Sequence, residues 1–213
     1  MRYLLLLSFV LICSSVHAAT LTGHFTTESG LTAEELKSDQ SWGQTFQVDP
    51  SGTITEASID SVVLWLYRQK NQNNKTITAS IRTSWNGPSL WESTIAANDI
   101  EKDSSADQSA IHDAVNFAAT PATLLADTEY YLRVDTTASE KVYIHYDQES
   151  SYSPGSLVNK DGVKEGSHKD LLFGIEGAYA VPEPSTVLLL GLGLVAWAQT
   201  RRGLWGGANA STN

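Results

Sequence analysis

Cysteine is nearly absent from this sequence of 213 residues, in which Cys13 is the single example. A chain with one cysteine forms no internal disulfide, so a folded domain here must be stabilised by its hydrophobic core. Basic residues are also few, at 14 Lys and Arg against 24 Asp and Glu. Because binding to a phosphate backbone requires a basic face, a net charge of −10 argues against a nucleic-acid partner.

Recognisable catalytic motifs are missing as well. The sequence contains no Gly-x-Ser-x-Gly, and after Ala18 its histidines, at least 23 residues apart, are His24, His112, His145 and His168. Nucleophilic catalysis needs a base placed beside the nucleophile, and zinc sites need closely spaced ligands. We therefore expect no catalytic residue, no metal ligand set and a protein that is not an enzyme.

One acidic stretch, Asn98 to Gln108, is typical of a long solvated loop. Its carboxylates are hard oxygen ligands of the kind that Ca²⁺ takes, namely Asp99, Glu101, Asp103 and Asp107. Glu101 and Asp103 also have the spacing of paired catalytic carboxylates, but a solvated loop does not raise a carboxyl pKa as a catalytic acid requires. A solubilising surface is favoured, a calcium site stays open as the alternative, and no cofactor is assigned.

The N-terminal residues, Met1 to Ala18, have the pattern of a secretory signal peptide. Arg2 is followed by an apolar run from Tyr3 to Ile12 and by small residues at the positions that signal peptidase reads. Ten helical residues span only about 15 Å, which is too short to cross a membrane. The pattern predicts a signal-peptide helix that is cleaved after Ala18.

The C-terminal region contains a second short apolar segment, Val187 to Ala198. Its twelve residues reach about 18 Å as a helix, against a hydrocarbon core of about 30 Å. Prolines precede the segment, and Arg201 and Arg202 follow it. Because basic residues stay on the cytoplasmic side, the preceding domain is expected to face outward.

Together, a Pro-Glu-Pro sequence, a short apolar helix and a terminal basic cluster resemble the PEP-CTERM sorting signal, whose members are exosortase substrates. The match covers Val181 to Arg202, about a tenth of the chain. By this resemblance the recognition residues are Pro182, Glu183 and Pro184, and the basic cluster is Arg201 and Arg202. The resemblance implies an exosortase-like membrane protease as partner, transient inner-membrane anchoring, and then a cell-surface or extracellular location in a Gram-negative bacterium.

Between the two ends, β-branched and aromatic residues alternate with polar ones, and turn residues separate the runs. This pattern predicts an all-β fold, a jelly-roll-like antiparallel sandwich of two sheets, with a short helix over Thr32 to Ser38 from its capping-box spacing. The strand Ser58 to Arg68 is apolar on both faces, so we expect it in the middle of a sheet. Expected strands are Thr45 to Val48, Ser58 to Arg68, Thr76 to Thr83, Ser89 to Ala96, Ala114 to Ala118, Glu129 to Asp135, Lys141 to Tyr146 and Leu171 to Gly177.

This middle part resembles the β-sandwich domains of the "choice-of-anchor" type, which precede various surface-anchoring signals. The resemblance is carried by Gln44 to Val48, Val62 to Arg68, Thr128 to Val134, Ser153 to Ser156 and Asp170 to Ile175. It implies no catalytic motif. The expected organisation is a signal peptide over 1–18, an extracytoplasmic sandwich over 19–180, the sorting signal over 181–202 and a tail over 203–213, which extends past the usual end of the family signal.

Several aromatic residues of the middle part are candidates for ligand binding. Exposed rings stack on the apolar face of a sugar, and the candidates are Trp85, Trp91, Tyr143 and Tyr152. We expect an exported, non-catalytic surface or extracellular-matrix protein, with an exopolysaccharide as a possible ligand. The alternatives are a purely structural matrix component and, ranked last, a polysaccharide-active enzyme.

Overall fold

A computed structural model describes residues 16–24, 31–48, 54–103, 114–138, 141–148, 152–153, 155–165, 169–180 and 193 of the chain. The chain divides into two units, one formed by Val16–Ala180 and the other by Met1–Ser15 with Val181–Asn213. The expected signal-peptide helix over 1–18 lies outside the described residues except at 16–18, which form part of a β-strand and not a helix. The expected apolar helix Val187 to Ala198 lies outside the described residues except at Gly193. Within the described ranges, no helix is long and apolar enough to cross a membrane.

Twelve β-strands build the unit Val16–Ala180 in its described parts. The first six strands are β1 Val16–His24, β2 Leu31–Leu36, β3 Trp42–Gln47, β4 Glu56–Arg68, β5 Thr76–Arg82 and β6 Ser89–Ala96. A 3-10 turn, Ala97–Asp99, follows β6. The remaining strands are β7 Ala114–Leu125, β8 Glu129–Thr136, β9 Val142–Asp147, β10 Leu157–Val158, β11 Asp170–Leu171 and β12 Phe173–Ala180.

The strands form two antiparallel sheets, which confirms the predicted all-β sandwich class. One sheet has seven strands in the order β1-β12-β4-β9-β11, with β2 added on β9 and β7 added on β4. The other has five strands in the order β10-β3-β8-β5-β6. Strand β4 pairs with β12 on one side and with β7 on the other, so its predicted central position is confirmed.

The hydrophobic core lies between the two sheets and follows the strand alternation. In β8, Tyr130, Leu132 and Val134 are buried, while the residues between them are partly exposed. The ring of Phe46 on β3 is fully buried and lies 5.8 Å from Tyr130 and 6.1 Å from Phe173, measured between ring centroids. Because Phe173 belongs to β12, this aromatic group joins the two sheets.

The helix predicted over Thr32 to Ser38 is wrong, because Leu31–Leu36 forms strand β2. All six residues of β2 pair with β9, from Leu31 opposite Asp147 to Leu36 opposite Val142. Leu36 is fully buried in the core. A local capping pattern favours a helix only weakly, and here the pairing with β9 and the burial of Leu36 favour a strand more strongly.

Strand β7 is an edge strand with an irregular centre. It pairs with β4, and the register shifts so that Ile59 faces Ala122 while Ser61 faces Ala118. The additional residues on β7 include Pro121, which has no backbone N–H and is therefore tolerated at such a bulge. Next to it, the Ser93 hydroxyl of β6 donates a hydrogen bond of 2.7 Å to the Ala118 carbonyl, which links the two sheets along this side.

Candidate functional site

The four aromatic residues proposed as ligand contacts lie in separate places. Trp91 is only 2% exposed and belongs to the core between the sheets. Tyr143 is 7% exposed and stacks on Tyr67, with ring centroids 4.8 Å apart. Tyr152 follows β9 and is half-buried, and Trp85 lies in the turn between β5 and β6. The placement favours packing for Trp91 and Tyr143, and a ligand role of these rings stays a prediction.

Trp85 packs over the outer face of the five-stranded sheet, where it is 9% exposed. A Cβ atom added at Gly43 of β3 would lie 2.6 Å from Cζ3 of this ring, and one added at Gly162 would lie 3.0 Å from its Cγ. Gly162 also has a positive φ of 75°, which side-chain-bearing residues rarely adopt. Glycine at both positions therefore leaves room for the ring between β3 and the turn near Gly162.

Around Trp85 lies an aromatic and charged surface that was not expected from the sequence, which we call the β8 surface: Trp85, Glu129, Tyr131, Arg133, Asp135 and Lys164. The Tyr131 ring is half-buried, and its centroid lies 6.4 Å from that of Trp85. Lys164 Nζ lies 5.9 Å from the Tyr131 centroid, and Arg133 Cζ lies 5.2 Å from the Trp85 centroid. Each cation therefore lies within cation–π distance of one ring.

The charges of the β8 surface are paired. Arg133 donates hydrogen bonds of 3.1 and 3.0 Å to Asp135, and Lys164 donates bonds of 2.8 and 2.7 Å to Glu129. Ser41 also donates to Asp135. The surface therefore offers both hydrogen-bond donors and acceptors beside an aromatic ring, without an excess of either charge. The sequence contained one signal for this surface, the alternation of side chains along β8. Because successive side chains of a strand point to opposite faces, the residues next to Tyr130, Leu132 and Val134 must point away from the core.

A buried polar network, which we call the Asp170 network, holds the loop after β9. The Gln44 amide donates a 2.6 Å hydrogen bond to Asp170, and the backbone N–H of Tyr152 donates a 3.1 Å bond to the same carboxylate. Gln44 in turn accepts a 3.0 Å bond from the N–H of Leu171. At the surface end of the network, the hydroxyls of Tyr152 and Thr22 lie 2.6 Å apart, so β1 is tied to this loop.

Tyr152 provides a pH-dependent contribution to stability. Burial raises the pKa of its phenol above the usual value of 10.0, the hydrogen bond with Thr22 lowers it, and the Asp170 charge raises it further. A raised pKa means that the folded state binds the phenol proton more tightly than the unfolded state does. The stabilisation is complete below pH 10 and is lost as the pH rises through the folded-state pKa.

We expect Tyr152→Phe to flatten the alkaline part of the stability profile, because phenylalanine has no proton to lose. Urea unfolding of the wild type and Y152F between pH 8 and about pH 11 measures this difference. The wild type should lose more stability than the variant above pH 10. Parallel losses in both proteins over the whole range would contradict the assignment to Tyr152.

The acidic stretch after β6 is held against the end of β4 in its described part. The backbone N–H of Arg68 donates a 3.0 Å bond to the Glu101 carbonyl, and the N–H of Asp103 donates a 2.9 Å bond to the Arg68 carbonyl. Asp107 lies outside the described residues. Across the described ranges, no group of three or more His, Cys, Asp or Glu side chains is placed to hold a metal ion.

Strand β12 ends at Ala180, and the comparison with protein families finds the PEP-CTERM protein-sorting motif at residues 180–202. This chain carries a PEP-CTERM sorting signal. PEP-CTERM proteins are processed by exosortase, which is a membrane protein, so the chain is an exported protein that is sorted at the membrane towards the cell surface. The motif residues predicted for recognition, Pro182, Glu183, Pro184, Arg201 and Arg202, lie within the matched range and outside the described residues.

Outside the sorting signal, this chain has only distant similarity to solved structures. No curated protein matches the chain. Two solved structures of infectious bursal disease virus, from the Gx and Gt strains, are similar at 10% and 11% identity with TM-scores of 0.28 and 0.29. They cover 92% and 81% of this chain, which spans 49% and 43% of those chains, about half their length. The family match includes only the last residue of β12, so the resemblance of the sandwich to choice-of-anchor domains stays a prediction.

Proposed function

We propose that this PEP-CTERM protein is a non-catalytic surface or extracellular-matrix protein of a Gram-negative bacterium, whose β-sandwich binds an exopolysaccharide. The observation that supports the proposal is the position of the sorting motif, which begins at the final residue of the last described strand of the sandwich. The net charge of −10 and the lack of a recognisable catalytic motif agree with a role in binding. An exosortase-like protease is the proposed processing partner.

Glu183→Ala is expected to slow C-terminal processing by more than tenfold. Removing a carboxylate that a protein partner desolvates costs about 2 kcal/mol or more, and about 1.4 kcal/mol corresponds to a factor of ten. Intact-mass spectrometry of protein from membrane and culture fractions measures the uncut fraction. Glu92→Ala, at an exposed position of β6, is the matched control and should be processed like the wild type. Equal processing of E183A and E92A would reject the role of Glu183.

The β8 surface is the proposed binding site for the polysaccharide. A sugar presents an apolar C–H face and a rim of hydroxyls, and Tyr131 offers an aromatic ring between donors and acceptors. Because Arg133 is paired with Asp135 and Lys164 with Glu129, the surface suits a neutral polysaccharide better than a highly charged one. Tyr131 thereby replaces the more deeply buried Trp85 as the proposed stacking ring.

Tyr131→Ala is expected to weaken polysaccharide binding about fivefold, through the loss of about 1 kcal/mol of ring stacking. Affinity electrophoresis in gels that contain neutral or acidic polysaccharides measures retardation of the purified protein. The control is Leu125→Ala, at a position 57% exposed on the other sheet. Unchanged retardation of a folded Y131A would reject this site. Self-association without retardation would support a purely structural component instead, and release of sugar fragments would indicate an enzyme.

A further inference from the structure

The first and last strands of the sandwich are neighbours, and their register joins the two ends of the folded unit. In the ladder between β1 and β12, Val16 pairs with Ala180, His17 with Tyr179 and Ala18 with Ala178. The bond that signal peptidase is predicted to cleave, between Ala18 and Ala19, therefore lies inside this ladder. On the opposite side, β12 pairs with β4 as far as Tyr179.

The ladder between β1 and β12 determines when signal peptidase can make the first cut. A protease that binds its substrate as an extended strand needs the backbone groups that a neighbouring strand would otherwise occupy. Because β12 is the last strand that the structure describes and β1 is the first, β1 leaves the membrane before its partner does. The bond between Ala18 and Ala19 is thus open to signal peptidase while β12 is still missing, and closed once β12 has paired.

Cleavage after Ala18 changes the exposure of β12. Once residues 16–18 are removed, their three pairs cannot form, while the pairs from Ala19 with Gly177 to His24 with Phe173 still can. Strand β1 then no longer reaches Ala178, Tyr179 and Ala180, although Ala178 and Tyr179 pair with β4 on the other side. The sandwich gains a short open strand edge immediately before the sorting motif.

The sequence of the motif makes this edge useful to a protease. Pro182 and Pro184 have no backbone N–H, so they cannot donate hydrogen bonds to a partner strand. Main-chain recognition on the N-terminal side of Pro-Glu-Pro must therefore use the residues that precede it. Residues 178–180 are the ones that the first cut leaves open.

We propose that early removal of the signal peptide keeps the β1 side of Ala178, Tyr179 and Ala180 open, and that this edge is the docking strand for the sorting protease. The inference rests on the proposed function, in that it requires a C-terminal cut near Pro-Glu-Pro. Each cut is a peptide-bond hydrolysis, in which water gives its hydroxyl to the carbonyl carbon and a proton to the amine. The C-terminal cut of this chain thus depends on the N-terminal cut.

Two variants that retain the signal peptide distinguish the effect of an open edge from the effect of the N-terminal cut itself. Ala18→Tyr blocks signal peptidase, which requires a small residue there, yet leaves β1 able to pair. The second variant adds Val16→Pro and His17→Pro to A18Y. Successive N–H groups of a strand point to opposite sides, so one of two adjacent prolines always removes a donor that faces β12. This triple variant keeps the signal peptide but disrupts the pairing of residues 16–18 with residues 178–180.

Pulse-chase labelling in the exosortase-bearing host, with intact-mass analysis of the full chain, measures both cuts. We expect C-terminal processing of A18Y to be at least tenfold slower than that of the wild type, and processing of the triple variant to return to the wild-type rate. Wild-type processing in A18Y would overturn the proposal. Equally slow processing in A18Y and the triple variant would also overturn it, because membrane tethering would then be the cause. A wild type that is never cut at its C-terminus would instead reject the proposed function.

Discussion

Asp170→Ala is expected to lower the free energy of unfolding by about 3 kcal/mol or more. The Asp170 side chain is 1% exposed and accepts hydrogen bonds from the Gln44 amide and the Tyr152 N–H. Alanine leaves both donors without their acceptor, and a buried donor left unsatisfied costs about 1–3 kcal/mol. Urea unfolding at neutral pH, followed by tryptophan fluorescence, measures the loss.

The matched control for this change is Asp60→Ala, because Asp60 is exposed on β4. Its removal deletes a carboxylate of the same size and charge and is expected to change stability by less than about 0.5 kcal/mol. If D170A and D60A unfold at the same urea concentration, the Asp170 network does not stabilise the fold. A loss confined to D170A supports the role of the network in holding the loop that carries Tyr152.

Phe46→Ala is expected to destabilise the sandwich by about 3–5 kcal/mol, which is the usual range for truncating a buried aromatic side chain. The Phe46 ring is fully buried and contacts Tyr130 in its own sheet and Phe173 in the opposite sheet. Truncation therefore leaves a cavity between the two sheets. Leu90→Ala is the control, since Leu90 is 46% exposed on β6. Chemical unfolding of both variants compares them, and losses of similar size would contradict the central position of Phe46.

The strands that could be predicted from the sequence are those whose own residues carry the full signal. In β8, buried Tyr130, Leu132 and Val134 alternate with more exposed residues, so period-2 alternation indicated both the strand and its inner face. Strand β4 is apolar on both faces over its second half, and that property predicted its place between two neighbours. The PEP-CTERM signal is likewise a contiguous sequence, so its recognition did not require a fold.

Other parts of the fold depend on partners that are distant in sequence. Strand β2 has a local helical pattern and becomes a strand because β9, more than 100 residues later, pairs with it. Strands β10 and β11 have two residues each, too few to show any periodicity. Strand β1 overlaps the predicted signal peptide and forms through its pairing with β12. Tertiary pairing decides each of these elements, and local preference does not.

The candidate site was only partly predictable for the same reason. Trp85 lies beside a turn, as expected, but its exposure is set by Gly43, Gly162 and Arg133, which are remote from it in sequence. Trp91 lies in the core, because the alternation of side chains along β6 places it on the inner face of the strand. Tyr131 was part of a recognised strand, yet its role on the outer face depends on Lys164 from a distant turn. Sequence composition indicates how many rings exist, and folding determines which of them face water.

The bulge of β7 has a consequence for a protein that is sorted at a membrane. Edge strands offer unpaired backbone groups that recruit strands of neighbouring molecules and start aggregation, above all where copies are crowded. Pro121 has no backbone N–H to donate, and the register shift beside it interrupts the regular spacing that a foreign strand would need. The bulge therefore makes β7 a poor template for pairing with a strand of a neighbouring copy.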